Sequence, residues 1–254
     1  MWNPDTYRHF QAERDRPFFD LLAQVRLPFP QRVVDLGCGD GHLTAALGER
    51  WPRAEVTGVD SSPEMLRDTP VRERLRFVQA DLRSWAPAVA PDLILSNAAL
   101  QWVPDHPRLI PRLAGRLAPG AVFAFQLPGN FAAPSHQLLA ELRAEPGWLE
   151  RLGASGPDPL PSLDPQDYAD LLAPLGFRVN AWETTYLHLL HGPDPALNWV
   201  RGAALRPVLS RLEPAKVGEF EAEYGRRLRE AYPEGPAGTP FPFRRVFVVA
   251  ERAG

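Results

Sequence analysis

Residues 33–41 read Val-Val-Asp-Leu-Gly-Cys-Gly-Asp-Gly, and Asp60 stands nineteen positions past Gly41, closing the run Glu-Val-Thr-Gly-Val-Asp. An apolar, β-branched segment breaks at three alternate glycines, and a second such segment ends on a carboxylate. This pairing dictates a strand, a glycine turn, a helix and a second strand. Glycine allows the sharp turn and lets a ligand approach the backbone closely. The helix that follows presents backbone N–H groups at its start. Such a unit holds a nucleoside, with Asp60 placed for the ribose hydroxyls.

Apolar patterning around this unit predicts strands at Arg32–Leu36, Ala54–Val59, Leu75–Gln79, Asp92–Ser96 and Ala121–Gln126. Helices are predicted at His42–Trp51, after the cap signal Ser61-Ser62-Pro63-Glu64, and between Asp105 and Pro119-Gly120. Strands apolar on both faces, alternating with helices, indicate an α/β fold with a parallel, doubly wound sheet. Beyond residue 127 the alternation stops. Helical patterns occupy 135–144, 167–175 and 192–232, a long strand spans Phe177–Leu190, proline and glycine crowd 233–242, and a last strand covers Arg245–Ala250. The first 26 residues also carry a helical pattern, and the loop over 155–161 is rich in proline. We expect a single domain over 1–254, with a core of about 27–127, 167–191 and 243–254. Helical cap insertions over about 1–26, 128–166 and 192–242 are expected to cover the strand ends.

At 254 residues with net charge −3, the chain can bury a large core and has no global field to draw it to nucleic acid. Cys38 is the only cysteine, so no internal disulfide is possible and a reducing, cytoplasmic setting is expected. No basic n-region precedes an apolar stretch, and no apolar run has spanning length, so neither export nor a membrane partner is expected. Lys216 is the only lysine among 28 basic residues, which reflects either a GC-rich coding sequence or a demand for guanidinium groups. The histidines lack paired spacing with acids, so no metal is expected. Nothing in the composition specifies an oligomeric state; a monomer is allowed.

The spacing of the glycines separates nucleoside cofactors. Gly37, Gly39 and Gly41 make G-x-G-x-G, whereas a dinucleotide fold uses G-x-G-x-x-G with pyrophosphate on the helix terminus. His42 occupies the third dinucleotide glycine position and would crowd that packing. Asp35, just inside the strand, disfavours a pyrophosphate and is placed either to meet a cationic ligand or to orient the loop by backbone hydrogen bonds. S-adenosylmethionine has a sulfonium, an amino-acid end and no phosphate. Asp60 accepts from its ribose, and Asp81, just past the third strand, is placed either to accept from the adenine amine or to cap the following turn. Met65 is placed to pack on the adenine or to fill the core. Cys38, between glycines, reads as a small apolar filler.

With these residues in view, the chain resembles class I S-adenosylmethionine-dependent methyltransferases, and more closely the trans-aconitate methyltransferases. The resemblance rests on Val33–Gly41, Asp60, Ala80-Asp81 and Asp92–Asn97 in the core. It extends to the opening over 2–17, to the segment Ser96–His106 after the fourth strand, and to Thr184–His188, Trp199-Val200 and Leu205-Arg206-Pro207. Asp40 departs from the family, where proline is common. The resemblance implies a Rossmann-like, seven-stranded sheet with an antiparallel last strand. It also implies cofactor contacts from Leu36, Cys38, Ser61, Ala80, Leu82 and Asn97, beside Asp35, the three glycines, Asp60, Met65 and Asp81. Arg16 is open between the methionine carboxylate and the substrate.

The implied acceptor carries three carboxylates, and bidentate arginine meets such charges best. Candidate donors are Arg201, Arg206 and Arg244, with Gln101, Trp102, His136, Tyr186 and His188 as partners. No acid–base catalytic residue is expected, because a carboxylate is already ionised at neutral pH. The expected activity is methyl transfer to a small polycarboxylate. A methyltransferase acting on another small O, N or C acceptor is the alternative. A dinucleotide oxidoreductase and a non-catalytic binding module are the readings from other classes.

Overall fold

A computed structural model describes residues 11–103, 105–153, 161–202 and 204–254. Residues 2–10 of the family-like opening and residues 155–160 of the proline-rich loop lie outside the described residues. The strands are β1 Arg32–Leu36, β2 Glu55–Asp60, β3 Leu75–Gln79, β4 Leu93–Asn97, β5 Val122–Pro128, β6 Phe177–Leu190 and β7 Thr239–Arg252. They form one sheet in the order β3-β2-β1-β4-β5-β7-β6. β1 to β5 pair in parallel, and β7 runs antiparallel to β5. The expected seven strands with an antiparallel last strand are therefore present.

Helices follow the strands as α1 Gln11–Ala23, α2 His42–Arg50, α3 His106–Ala114, α4 Pro134–Ala144, α5 Pro146–Leu152 and α6 Pro165–Leu172. The predicted helical stretch over 192–232 is three helices, α7 Pro195–Arg201, α8 Arg206–Leu209 and α9 Pro214–Ala231. Each of the three carries proline in its first turn, where a missing N–H is harmless, so each proline marks a new start.

Two further expectations are corrected. The helix predicted after Ser61 is only a 3₁₀ turn, Met65–Asp68. The segment is committed to closing the loop: Ser62 N donates to Asp60, Met65 N donates to Ser62 Oγ, and Pro70 ends it. β7 begins at Thr239, inside the stretch read as proline-rich loop. Pro240 and Pro242 alternate with the largely buried Phe241 and half-buried Phe243, so the missing N–H groups fall on one edge of the strand.

The chain divides into two compact units. One comprises Asp15–Pro128, Pro159–Thr184 and Arg245–Gly254. Its core packs Val34, Leu36, Ile94, Phe123, Phe125, Tyr168 and Val248 with α3 and α6 residues. The sheet order reverses between β1 and β4, where Leu36 pairs with Ser96. Ligands of open α/β sheets bind beyond the strand C-termini at such a reversal.

The other unit comprises Met1–Arg14, Gly129–Asp158 and Thr185–Arg244. Its own core joins Leu139, Leu142, Trp148, Trp199, Phe220, Tyr224 and Phe241. Two buried tyrosines anchor α4 there: Tyr232 Oη accepts from Ser135 N at 3.0 Å and Tyr224 Oη donates to Ser135 O at 2.7 Å.

Candidate cofactor-binding site

Gly37, Gly39 and Gly41 all adopt the left-handed conformation, with φ of +73°, +58° and +80°. L-residues reach it at a cost of about 1–2 kcal/mol each. Packing separates the three. A Cβ on Gly37 would sit 2.1 Å from the Ala99 Cβ, and one on Gly41 would strike the Phe77 ring at 2.5 Å. A Cβ on Gly39 would meet nothing within 4 Å. Gly37 and Gly41 are thus glycine because protein crowds them, and Gly39 leaves an open face of backbone.

Asp60 closes the turn. Its Oδ2 accepts from Gly39 N and its Oδ1 from Ser62 N, both at 2.9 Å. Each carboxylate oxygen keeps a further lone pair, so ribose hydroxyls can still be accepted. Asp35 is 3% exposed and its Oδ2 accepts from Thr44 Oγ1 at 2.6 Å. Burial pushes its carboxyl up to about 6, against the opposing Thr44 hydrogen bond. A buried carboxylate held this way gains from a nearby cation.

The folded protein therefore holds the Asp35 proton more tightly than the unfolded chain does. That contribution to stability is present below its ordinary 3.8 and is lost as pH rises through about 6. Asp35→Asn is expected to stabilise the ligand-free protein at pH 7 by about 1–2 kcal/mol while weakening cofactor binding roughly tenfold or more. Paired melting and calorimetric titrations check this; unchanged cofactor affinity would refute a cation-facing role for Asp35.

The segment after β4 packs on the glycine turn through Ala99 and Gly37. Ala98 is strained at φ +51°, and its N donates to Gln126 O at 3.0 Å. Gln101 is buried; its Nε2 donates to Ala98 O at 2.6 Å and its Oε1 has no partner. The unsatisfied atom is an acceptor and suits a donor such as an ammonium, while the second Nε2 hydrogen is left for the substrate contact expected of Gln101. An open glycine, a buried carboxylate, a strand-end carboxylate and an orphaned acceptor together fit a ligand with a ribose and a cationic amino-acid end.

Other predicted residues take definite places. Cys38 is buried, and desolvation with the neighbouring acids Asp35 and Asp60 raises its thiol, which fits a filler. Leu36 and Leu82 are buried, Ser61 and Met65 exposed, and Ala80 N donates to Asp60 O at 2.9 Å. Asp81 caps its turn: Oδ1 accepts from Arg83 N at 2.8 Å, and Arg83 Nε lies 3.0 and 2.9 Å from the two carboxylate oxygens. The capping role read for Asp81 is thus seen, and its half-exposed carboxylate keeps lone pairs for the other. Arg112 steadies this loop by donating to Leu82 O and Trp85 O at 2.7 and 2.9 Å.

Arg16 is exposed and 3.7 Å from Asp20. Trp102 is half exposed. His136, Tyr186, Arg201, Arg206 and Arg244 belong to the other unit. There, Arg201 is engaged by Glu221 at 2.7 Å and Asn198 at 2.6 Å, and Arg244 donates to Gly129 O at 3.0 Å. Arg206 is exposed, while Tyr186 is buried and stacks parallel to His188. His136 lies edge-on to Phe131, and burial lowers its imidazole toward the neutral form.

In sequence, His42 signals only an obstacle to a dinucleotide. In the fold its Nδ1 lies 2.6 Å from Asp40 Oδ1 and its Nε2 2.9 Å from Asp15 Oδ1, which joins α1 to the start of α2. Hydrogen bonds to Asp15 and Asp40 raise the imidazole to about 10, so it is charged at neutral pH. Asp40, the family departure, is thereby explained: it partners His42.

A methyltransferase-domain model matches residues 7–181. The trans-aconitate 2-methyltransferase of Streptomyces avermitilis is 49% identical over 99% of this chain and 97% of its own. That of a Mycobacterium species (strain KMS) is 51% identical over 98% of this chain and 99% of its own. That of Mycobacterium tuberculosis is 45% identical over 100% and 98%. Among solved structures, the YcgJ protein of Bacillus subtilis superposes with a TM-score of 0.58 at 17% identity, covering 94% of this chain and 99% of its own. An S-adenosylmethionine-dependent methyltransferase from Mesorhizobium loti gives 0.53 at 20% identity, covering 94% and 98%. Those two speak to the fold.

Proposed function

The chain belongs to the methyltransferase family, among the trans-aconitate 2-methyltransferases, and we propose that it esterifies one carboxylate of trans-aconitate or a similar small polycarboxylate. S-adenosylmethionine is the donor, and the products are a monomethyl ester and S-adenosylhomocysteine. The observation that carries the reading is the glycine turn between Asp35 and Asp60, with Gly39 open and Gln101 Oε1 unpaired.

When bound, S-adenosylmethionine supplies an activated methyl group that a carboxylate oxygen takes by direct displacement. The backbone at Gly39 admits the amino-acid end, Asp35 and Gln101 Oε1 meet its positive groups, and Asp60 orients the ribose. None of these side chains needs to move a proton, because the acceptor is already an anion. Alignment is then the main source of rate, and well-held geometry is worth about 7–11 kcal/mol.

A reaction without a general base has a flat pH profile. With trans-aconitate as acceptor and donor saturating, kcat is expected to stay level from about pH 7 to 9. A rise of roughly tenfold over that range would instead indicate an acceptor that must lose a proton, and would overturn the carboxylate reading.

A further inference from the structure

Arg245 is 7% exposed and lies opposite Pro128 in the last pair of the β5–β7 register. Its Nη1 donates to Gln126 Oε1 at 3.0 Å, and Gln126, fully buried, donates from Nε2 to Asn97 Oδ1 at 2.5 Å. The three residues come from β7, β5 and β4, and Asn97 pairs with Gln126 in the sheet register. Asn97 is the last residue of β4, one strand from the glycine turn on β1.

The direction of this chain is forced. A guanidinium only donates, so the group Gln126 turns toward Arg245 is its oxygen. Its amide nitrogen must then face Asn97, and Asn97 must answer with its own oxygen. What Asn97 has left to donate is its Nδ2 amide. A charged donor at the head of the series polarises the bonds behind it.

We propose that Arg245, acting through Gln126, is a positioning residue that sets Asn97 as a hydrogen-bond donor for a carboxylate oxygen of the methyl acceptor. This rests on the carboxylate-acceptor reading above. It gives Asn97 a substrate role where a cofactor contact was expected. The relay leads from Asn97 toward β5 and β7, away from the glycine turn that serves the cofactor's amino-acid end.

Gln126→Glu tests the direction with almost no change of shape. A glutamate keeps the bond to Arg245 and strengthens it by charge, but it cannot donate to Asn97. Asn97 must then turn its amide to the introduced carboxylate and offer its oxygen instead. The expected result is a KM for trans-aconitate raised about tenfold or more, with the affinity for S-adenosylhomocysteine and the melting temperature held at wild-type values. Gln126→Leu serves as the second variant, since it deletes the relay without reversing it; a smaller rise in KM than for Gln126→Glu is expected.

A normal KM in Gln126→Glu overturns the relay. So does a loss of S-adenosylhomocysteine affinity with KM unchanged, which would place Asn97 on the cofactor carboxylate. Failure of the wild-type protein to methylate trans-aconitate overturns the underlying reading, and the relay with it.

Discussion

Asp60→Ala is expected to weaken S-adenosylmethionine binding by at least about a hundredfold, because charge-assisted hydrogen bonds are worth roughly 1.5–3 kcal/mol each and the ribose offers two. The carboxylate also holds Gly39 N and Ser62 N at 2.9 Å each, so its loss frees both sides of the cofactor loop. Asp60→Asn separates the two effects. It retains one oxygen acceptor but loses the charge, so its loss of affinity should fall between wild type and alanine. Calorimetric titration reads all three proteins. An alanine variant within about threefold of wild type would show that the ribose lies elsewhere.

The second large effect concerns two glycines that look equivalent in sequence. Gly37→Ala is expected to destabilise the ligand-free protein by roughly 2–5 kcal/mol, from the left-handed φ and the overlap with Ala99. Gly39→Ala carries the same kind of φ but meets no atom within 4 Å, so only about 1 kcal/mol should be lost. Its methyl group would instead project into the open face, and cofactor affinity should collapse.

Thermal denaturation and cofactor titration together distinguish the pair. Replacing Ala99 by glycine should restore part of the stability of Gly37→Ala and none of the cofactor affinity of Gly39→Ala. If Gly39→Ala binds the cofactor normally, the open face does not receive it.

Much of this organisation is legible in the chain. Strands β1 and β4 are apolar on both faces, and that signature survives any tertiary context because both faces are buried. The G-x-G-x-G spacing with Asp60 points to the class of cofactor for a similar reason: steric and hydrogen-bonding demands act locally. Elements governed by local competition are misread. Ser61-Ser62-Pro63 has the chemistry of a helix start, yet Asp60 takes the Ser62 N–H and Pro70 leaves too few residues for a full helix. The proline-rich 239–244 segment hides a strand, since its prolines repeat with the strand's own period of two.

Side-chain commitments are the least legible part. Asp81 has an arginine two residues on that occupies its carboxylate, and nothing at that spacing distinguishes a cap from a ligand contact. Gln101 reads as a generic polar partner until one of its N–H groups is seen on Ala98 O and its acceptor orphaned. The Arg245–Gln126–Asn97 series joins residues 29 and 119 positions apart. Only the strand order brings them together, so no local pattern announces it.

Methyl transfer to a polycarboxylate is tested most directly by product analysis. Purified protein with S-adenosylmethionine and trans-aconitate as the sole acceptor should yield S-adenosylhomocysteine and a monomethyl ester in equal amounts, resolved by mass spectrometry. S-adenosylhomocysteine formed without ester, or no turnover from a protein that binds the cofactor, would contradict it.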